Sequence, residues 1–134
     1  MSGRRLPLGM GIRVFHCDDS EAFTRLVAFW LAEHPDLEHV GDARTAEAAL
    51  AALPAARPDV ILLDTMGRSG DDALLLAIRA AAPQARVIVY SGYVRLMQEG
   101  ALGHEADAYL EKDDDDAALV AAIRQVAGQP PVRA

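Results

Sequence analysis

The chain has little cysteine, no long apolar run and a deficit of positive charge, and each shortage excludes a class of protein. It contains one cysteine, Cys17, so an internal disulfide framework is excluded, and we interpret this residue as a small core side chain. No apolar stretch is long enough to cross a membrane. The 20 acidic residues outnumber the 13 lysines and arginines and leave a net charge of -7, which argues against sequence-independent binding of duplex DNA. We therefore expect a cytoplasmic protein that contacts neither a membrane nor nucleic acid directly.

The length of 134 residues suits a single domain that buries most of its apolar surface without disulfides or a structural metal. We predict this domain over residues 12–127, with an N-terminal extension at 1–11 and a C-terminal tail at 128–134. No internal repeat or low-complexity segment is evident. Whether the chain stands alone or is a piece of a longer protein is left open.

Short apolar runs alternate with amphipathic patterns along the chain. Runs rich in β-branched or aromatic residues are typical of buried parallel strands, and a shorter run at 37–40 predicts one more. The four main runs are Ile12–Cys17, Val60–Leu63, Arg86–Ser91 and Ala108–Glu111. Between the strands, apolar residues recur at helical spacing. Five alternations imply a doubly wound α/β fold, with a parallel sheet in the strand order 2-1-3-4-5 and helices on both faces.

The helical patterns differ in clarity. The first helix is predicted from about residue 20 to 34, and the second is predicted to stop before Pro54. A third is predicted from about 71 to 82, and a final one ends near residue 128. The pattern at 93–102 is the weakest, because glycines at 100 and 103 dilute it.

Polar side chains follow four of the five predicted strands. An acidic pair, Asp18 and Asp19, follows the first strand, Asp64 follows the third, Ser91 ends the fourth and Lys112 follows the fifth. Ligands bind outside the carboxyl ends of the strands in open α/β sheets, so we expect these groups to converge on one crevice.

Three clustered carboxylates need cations among them, because two unit charges about 4 Å apart repel by roughly 4 kcal/mol at an effective dielectric near 20. Lys112 supplies one positive charge. A hard, oxygen-preferring cation such as Mg²⁺ would supply the rest. This set of groups suits phosphoryl chemistry, in which a carboxylate acts as the nucleophile and forms an aspartyl-phosphate.

In their order and spacing these residues resemble the receiver domain of two-component response regulators. The resemblance covers about residues 12–127 and rests on the acidic pair, Asp64, Ser91 and the run from Tyr109 to Lys112. It implies a flavodoxin-like (βα)5 fold. It also implies that Asp64 is the phosphoacceptor, and that a histidine kinase or a phosphotransfer protein donates the phosphoryl group from a phosphohistidine.

The resemblance also implies a Mg²⁺ site. Asp19 corresponds to the direct metal ligand and Asp18 to the acidic neighbour that holds metal-bound water. Asp64 is the third carboxylate, and Met66 stands where the family offers a backbone carbonyl to the metal. The plainer alternative for the acidic pair is to cap the helix that starts near Ser20.

Three further residues correspond to the family's switch. Lys112 matches the lysine that pairs with the phosphoacceptor and then with a phosphoryl oxygen. The hydroxyl of Ser91 would donate to the phosphoryl group, and Tyr109 resembles the aromatic residue that then turns inward. Alternatively, Lys112 is a surface lysine at a strand end, and Tyr109 serves ordinary packing or anchors an interface.

The loop after Asp64 departs from the family. Gly67, Arg68 and Asp72 stand where Met, Pro and Gly are usual. The main alternative function is therefore a pseudo-receiver that binds a partner without being phosphorylated. A third reading, a phosphatase with an aspartyl nucleophile, is disfavoured because Met66 offers no second carboxylate. We expect a switch, not an enzyme, with a downstream target that the sequence does not name and possible dimerisation.

The remaining polar groups are assigned no part in this chemistry. The run from Asp113 to Asp116 is interpreted as a helix start, with a second metal site as the alternative. Four histidines show no ligand-like clustering in the sequence. They are His16, His34, His39 and His104.

Overall fold

Strands and helices alternate along the chain. The computed structural model describes residues 11–64, 72–92, 106–113 and 115–128. The strands are β1 (Ile12–Cys17), β2 (Leu37–Ala43), β3 (Val60–Leu63), β4 (Arg86–Ser91) and β5 (Ala108–Glu111). The helices in the described ranges are α1 (Glu21–Ala32), α2 (Ala46–Ala56), α3 (Asp72–Ala81) and α4 (Asp116–Ala127). In these ranges no helix has the length and hydropathy that a membrane span requires.

The five strands form one parallel sheet in the order β2-β1-β3-β4-β5, which confirms the predicted order. The register pairs Cys17 with Leu63 and Leu63 with Val89. It also pairs Ser91 with Glu111. The last residues of β1 and β3 are therefore neighbours, at the point where the strand order reverses, which is where ligands bind in open sheets.

Each face of the sheet carries its own apolar core, because successive strand residues point to opposite faces. One core joins strand residues to α2 and α3, and the other joins them to α1 and α4. The first contains Phe15, Cys17, Ile61, Leu53 and Ile78, and the second contains Val14, Leu62, Val27, Leu31 and Ile123. The assignment of Cys17 as a core residue is confirmed, since none of its surface is exposed.

The predicted stop of the second helix before Pro54 is wrong, because α2 continues to Ala56 with Pro54 inside it. A proline lacks the N–H that would donate to the carbonyl four residues earlier, and the last carbonyls of any helix need donors from outside it. The guanidinium of Arg13 donates to the carbonyl of Ala56 at 2.8 Å and to that of Arg57 at 3.1 Å. Arg57 adopts a left-handed conformation with φ of 50°, and its N–H donates to the carbonyl of Leu53, which closes the helix.

Other element ends differ from the prediction by smaller amounts. The strand predicted at 37–40 continues to Ala43, through a register shift opposite Val14 and Phe15. Helix α1 covers Glu21–Ala32 within the predicted 20–34, and α3 covers Asp72–Ala81 within the predicted 71–82. The predicted helix start in the acidic run is confirmed, since the side chain of Asp115 accepts from the N–H of Ala118 at 3.0 Å. The weak helical pattern at 93–102 lies outside the described residues.

A buried ion pair fixes the start of β5 beside β4. Asp107 accepts from the backbone N–H of Val87 at 2.7 Å, and the guanidinium of Arg79 lies 3.4 Å from the same carboxylate oxygen. Both side chains are almost fully buried. Because β5 leads directly into Lys112, this pair helps to set where the lysine emerges.

Gly11 packs so closely against the turn before β2 that an alanine there should destabilise the protein. A Cβ at this position would collide with the carbonyl oxygen of Asp36, which also accepts from the N–H of Ile12 at 2.8 Å. Overpacking of this kind costs about 1 to 3 kcal/mol, so we expect Gly11→Ala to lower the free energy of unfolding in urea by that amount. Gly92→Ala is the control, since an added Cβ there meets nothing within 4 Å. Equal stabilities of the two variants would contradict this account.

Candidate functional site

Three aspartates meet at the carboxyl edge of β1 and β3. The N–H of Asp64 donates to the carbonyl of Cys17 at 2.8 Å, and the N–H of Asp18 donates to that of Ala43 at 2.9 Å. One carboxylate oxygen each from Asp18, Asp19 and Asp64 lies within 4.8 Å of the other two. Asp18 and Asp64 are buried, whereas Asp19 is exposed. The structure thus brings the three predicted carboxylates together, with one of them open to solvent.

Lys112, the single lysine of the chain, lies among these carboxylates. Its Nζ is 2.8 Å from Oδ2 of Asp18 and 3.6 Å from Oδ1 of Asp64. The backbone N–H of Lys112 donates to the carbonyl of Ser91 at 3.2 Å, which joins the ends of β5 and β4. The sequence pointed to Asp64 as the partner of the lysine, and the structure shows the shorter contact to Asp18.

Asp18 is held in place at both carboxylate oxygens. Oδ1 accepts from the backbone N–H of Ser20 at 2.9 Å, and Oδ2 lies 2.8 Å from Lys112 Nζ and 3.3 Å from His16 Nε2. Burial alone would raise the pKa of Asp18, but the hydrogen bonds from His16, Lys112 and Ser20 and the lysine charge outweigh it and lower that pKa. Asp18 therefore stays ionised although its side chain has no exposed surface.

The helix cap next to the site belongs to Ser20. Its hydroxyl oxygen accepts from the N–H of Phe23 at 3.2 Å, at the first turn of α1. Asp18 accepts from the N–H of Ser20 itself, so it supports the cap and does not form it. Capping of α1 therefore does not account for the carboxylates of the acidic pair.

Ser91 ends β4, next to β3, and Tyr109 lies within β5. Ser91 is fully buried at the end of β4. Tyr109 pairs with Val89 across the sheet and packs partly buried against the core that contains α2 and α3. Its hydroxyl oxygen accepts from the N–H of Ala106 at 3.3 Å. Met66, Gly67 and Arg68 lie outside the described residues, so the metal-binding carbonyl and the altered loop stay predictions.

Sequence reasoning missed two contributors to the site. His16 was assigned no chemistry, although it precedes Asp18 by two residues and therefore lies on the same face of β1. Phe23 was given no part in the site, yet Lys112 Nζ lies 4.6 Å from its ring centroid, as in a cation–π interaction. The period of two along a strand was the available signal for His16. No sequence signal would have linked Phe23 to Lys112, since 89 positions separate them.

The donor set fits a hard cation. Its three members offer carboxylate oxygens, which Mg²⁺ prefers, and the exposed Asp19 leaves a side open for water. The neighbouring thiol of Cys17 is not a competing ligand, because burial, reinforced by the charges of Asp18, Asp64 and Asp19, raises its pKa to about 12. Together the carboxylates and Lys112 can hold a metal ion and a phosphoryl group against one nucleophilic oxygen.

Comparison with known proteins agrees with this fold. Residues 14–124 match the family model of the response regulator receiver domain. The chain therefore belongs to the receiver domains of two-component response regulators.

Two curated relatives carry further sequence beyond the matched part. The chain is 31% identical over 118 residues to the DNA-binding transcriptional activator DevR/DosR of Mycobacterium tuberculosis (strain ATCC 25618 / H37Rv), covering 86% of this chain and 54% of that protein. It is 32% identical over 123 residues to a protein-glutamate methylesterase/protein-glutamine glutaminase of Nocardioides sp. (strain ATCC BAA-499 / JS614), covering 87% of this chain and 33% of that protein. The chain thus spans about half of the first relative and about a third of the second.

Two solved structures share the fold over nearly their whole length. The response regulator domain of Thermotoga maritima CheB has a TM-score of 0.74 and 25% identity, covering 90% of this chain and 99% of that one. The REC domain of AraT, a response regulator from Geobacillus stearothermophilus, has a TM-score of 0.71 and 27% identity, covering 88% and 94%. These likenesses bear on the receiver part alone.

Proposed function

We propose that this protein is a phosphorylatable receiver of a two-component phosphorelay, with Asp64 as the phosphoacceptor. The observation that carries the proposal is the meeting of Asp18, Asp19 and Asp64 within 4.8 Å, with Lys112 Nζ between two of them. A cluster of like charges at a ligand-binding edge is unfavourable without a cationic ligand. It therefore supports a site that works with a metal and a phosphoryl group.

In the proposed reaction a carboxylate oxygen of Asp64 attacks the phosphorus of a phosphohistidine. The P–O bond forms as the P–N bond breaks, and the donor imidazole takes the electron pair and then a proton. Asp18, Asp19, Asp64 and the backbone carbonyl of Met66 are the groups that would hold Mg²⁺. When bound, Mg²⁺ supplies positive charge beside the phosphoryl oxygens. Lys112 Nζ, 3.6 Å from Asp64, neutralises another of these oxygens.

Phosphorylation then shifts the neighbouring strand ends. It replaces the single negative charge of the Asp64 carboxylate with a phosphoryl group that carries about -1.5 to -2, which draws the Lys112 ammonium and the Ser91 hydroxyl toward the phosphoryl oxygens. Tyr109 follows by turning toward the space near Ser91, and this turn breaks the bond that its hydroxyl oxygen accepts from the N–H of Ala106. The face that contains β5 thereby becomes the partner-binding switch.

The proposed binding partners follow from this phosphoryl transfer. The donor is a histidine kinase or a phosphotransfer protein, the downstream target is unidentified, and a homodimer is possible through the β5 face. One relative is named a DNA-binding transcriptional activator, and this chain spans 54% of it. With a net charge of -7, the present chain acts on DNA only indirectly. We place the protein in the cytoplasm.

Labelling with acetyl phosphate separates the proposal from its alternatives. With Mg²⁺ we expect a stoichiometric label that is stable in acid and labile in base. No label on a protein that binds Mg²⁺ would favour the pseudo-receiver. Repeated turnover of acetyl phosphate, without accumulation of label, would favour the phosphatase and an enzymatic role.

Mg²⁺ should raise the melting temperature, and Asp19→Ala should erase the increase. A ligand at 100 times its dissociation constant adds about 2.7 kcal/mol to a fold that alone binds it, or roughly 10 °C for a domain of this size. Thermal unfolding with and without Mg²⁺ measures the effect. Glu33→Ala is the control, because it removes one exposed charge at the far end of α1 and should keep the whole shift. A full Mg²⁺ response in Asp19→Ala would show that the metal ligand is assigned wrongly.

A further inference from the structure

A histidine lies in the middle of the sheet, next to the proposed metal site. His16 is on β1 and has no exposed surface. Its Nε2 lies 3.3 Å from Oδ2 of Asp18, whose side chain is equally buried. We propose that His16 is a positioning residue, which orients the Asp18 carboxylate and thereby strengthens Mg²⁺ binding. The inference rests on the proposed function, since it concerns the same metal site.

The surroundings of His16 fix the direction of its ring. The ring packs edge-on against Phe23 at a centroid distance of 5.9 Å and lies 6.2 Å from the ring of Tyr90. In the described residues, Asp18 is the carboxylate within ion-pair distance of His16. In the described residues Nδ1 of His16 is buried without a hydrogen-bond partner, and Nε2 has the close contact with Asp18. Burying polar atoms in this way costs about 1 to 3 kcal/mol, so an apolar residue would suit this core position unless the contact with Asp18 has a use.

His16 and Ser20 hold the Asp18 carboxylate from two sides. Ser20 donates its backbone N–H to Oδ1 at 2.9 Å, while His16 reaches Oδ2. The arrangement requires the hydrogen on Nε2, and a neutral imidazole in that tautomer is sufficient. Partners of this kind orient metal-binding carboxylates, and their loss typically lowers metal affinity.

The contact between His16 and Asp18 also has a consequence when Lys112 moves. The ammonium contacts Asp18 at 2.8 Å and lies 3.6 Å from Asp64, so a phosphoryl group on Asp64 draws it away from Asp18. Oδ2 of Asp18 would then be buried without its closest partner. His16 remains in contact with this oxygen, and the Asp18 carboxylate keeps its orientation in both states of the lysine.

Mg²⁺ titration calorimetry of His16 variants tests the inference. His16→Phe keeps an aromatic ring but removes the donor, and we expect it to raise the Mg²⁺ dissociation constant at least about tenfold. His16→Gln places an amide N–H near the position of Nε2 and should restore binding close to that of the wild type. His39→Phe is the matched control. His39 is a partly buried histidine on β2 that lies 3.4 Å from Asp42, outside the cluster, and its replacement should leave the constant unchanged.

Rescue by glutamine distinguishes positioning from packing. Unchanged Mg²⁺ affinity in His16→Phe would overturn the inference, and so would an equal loss in His16→Gln. If far-UV circular dichroism shows that the phenylalanine variant does not fold, His16→Met asks the same question with a flexible apolar side chain. In an Asp18→Asn background, His16→Phe should cause no further loss, and a full additional loss would also overturn it. Failure of the wild type to bind Mg²⁺ would instead reject the proposed function.

Discussion

Asp64→Asn is expected to abolish phosphoryl uptake from acetyl phosphate while the protein remains folded. The amide is nearly isosteric with the carboxylate but lacks its nucleophilic oxygen anion. The substitution also removes one charge from a cluster whose oxygens lie within 4.8 Å of one another. Lys112 keeps its closer contact with Asp18 at 2.8 Å. Stability without Mg²⁺ should therefore be maintained or increased.

The measurement is the amount of phosphoryl label per chain, together with a urea unfolding curve for each variant. Asp113→Asn is the matched control, because Asp113 is an exposed aspartate next to Lys112 and lies outside the carboxylate cluster. This control should label like the wild type. Labelling of Asp64→Asn at a rate near that of the wild type would move the nucleophile to another residue.

That the site residues lie close together could be predicted, because each of them stands at the carboxyl end of a strand. Asp18, Asp64 and Lys112 each come directly after an apolar run, and the strand order places β1 beside β3, with β5 two strands further along the same sheet. Parallel strands end at the same edge, so the position in the chain determines the position in space. Predicting which carboxylate the lysine touches is a different problem. The distances of 2.8 Å from Lys112 Nζ to Asp18 and 3.6 Å to Asp64 depend on side-chain packing, and a sequence pattern contains no information about that packing.

The incorrect prediction of where α2 ends has the same cause, since it also depends on a contact with a distant part of the chain. Pro54 is a valid local stop signal, but the helix continues past it to Ala56, and its last carbonyls find donors from elsewhere in the fold. Arg13 reaches the carbonyl of Ala56 across 43 positions in sequence. A prediction that uses only neighbouring residues cannot include a contact between such distant positions. His16 was overlooked for a related reason, since histidines were compared with one another and not with the carboxylate two residues further along the strand.

Lys112→Met should cause the largest loss of stability of any single change at the site. The side chain of Asp18 is fully buried, and the lysine ammonium at 2.8 Å is its closest cation. Removing one partner of a buried ion pair lowers the free energy of unfolding by about 3 to 5 kcal/mol. The lower end applies here, because His16 and the N–H of Ser20 still contact the carboxylate. We expect a loss of about 3 kcal/mol in the free energy of unfolding at pH 7 without Mg²⁺.

This loss should depend on pH in a defined direction. Burial raises the pKa of Asp18, and the bonds from His16, Lys112 and Ser20 together lower it below the ordinary value. A carboxyl with a lowered folded-state pKa contributes stability above its unfolded pKa of about 4 and loses that contribution as the pH falls through the folded value. Without Lys112 the pKa of Asp18 rises. The stability difference between wild type and variant is therefore greatest at pH 7, and it narrows as the pH falls through the folded-state pKa of Asp18 in the variant toward the lower one in the wild type.

Urea unfolding between pH 7 and pH 3 measures this narrowing, and two further variants make it specific. Arg25→Met removes a cation from an exposed pair with Glu21 and should cost less than about 1 kcal/mol. In Asp18→Asn the buried charge is already gone, so adding Lys112→Met to that background should cost much less than it does in the wild type. If Lys112→Met loses no more stability than Arg25→Met, or if its loss is the same at pH 3 as at pH 7, then the ammonium of Lys112 does not stabilise an ionised Asp18, and the charge balance of the site has to be assigned differently.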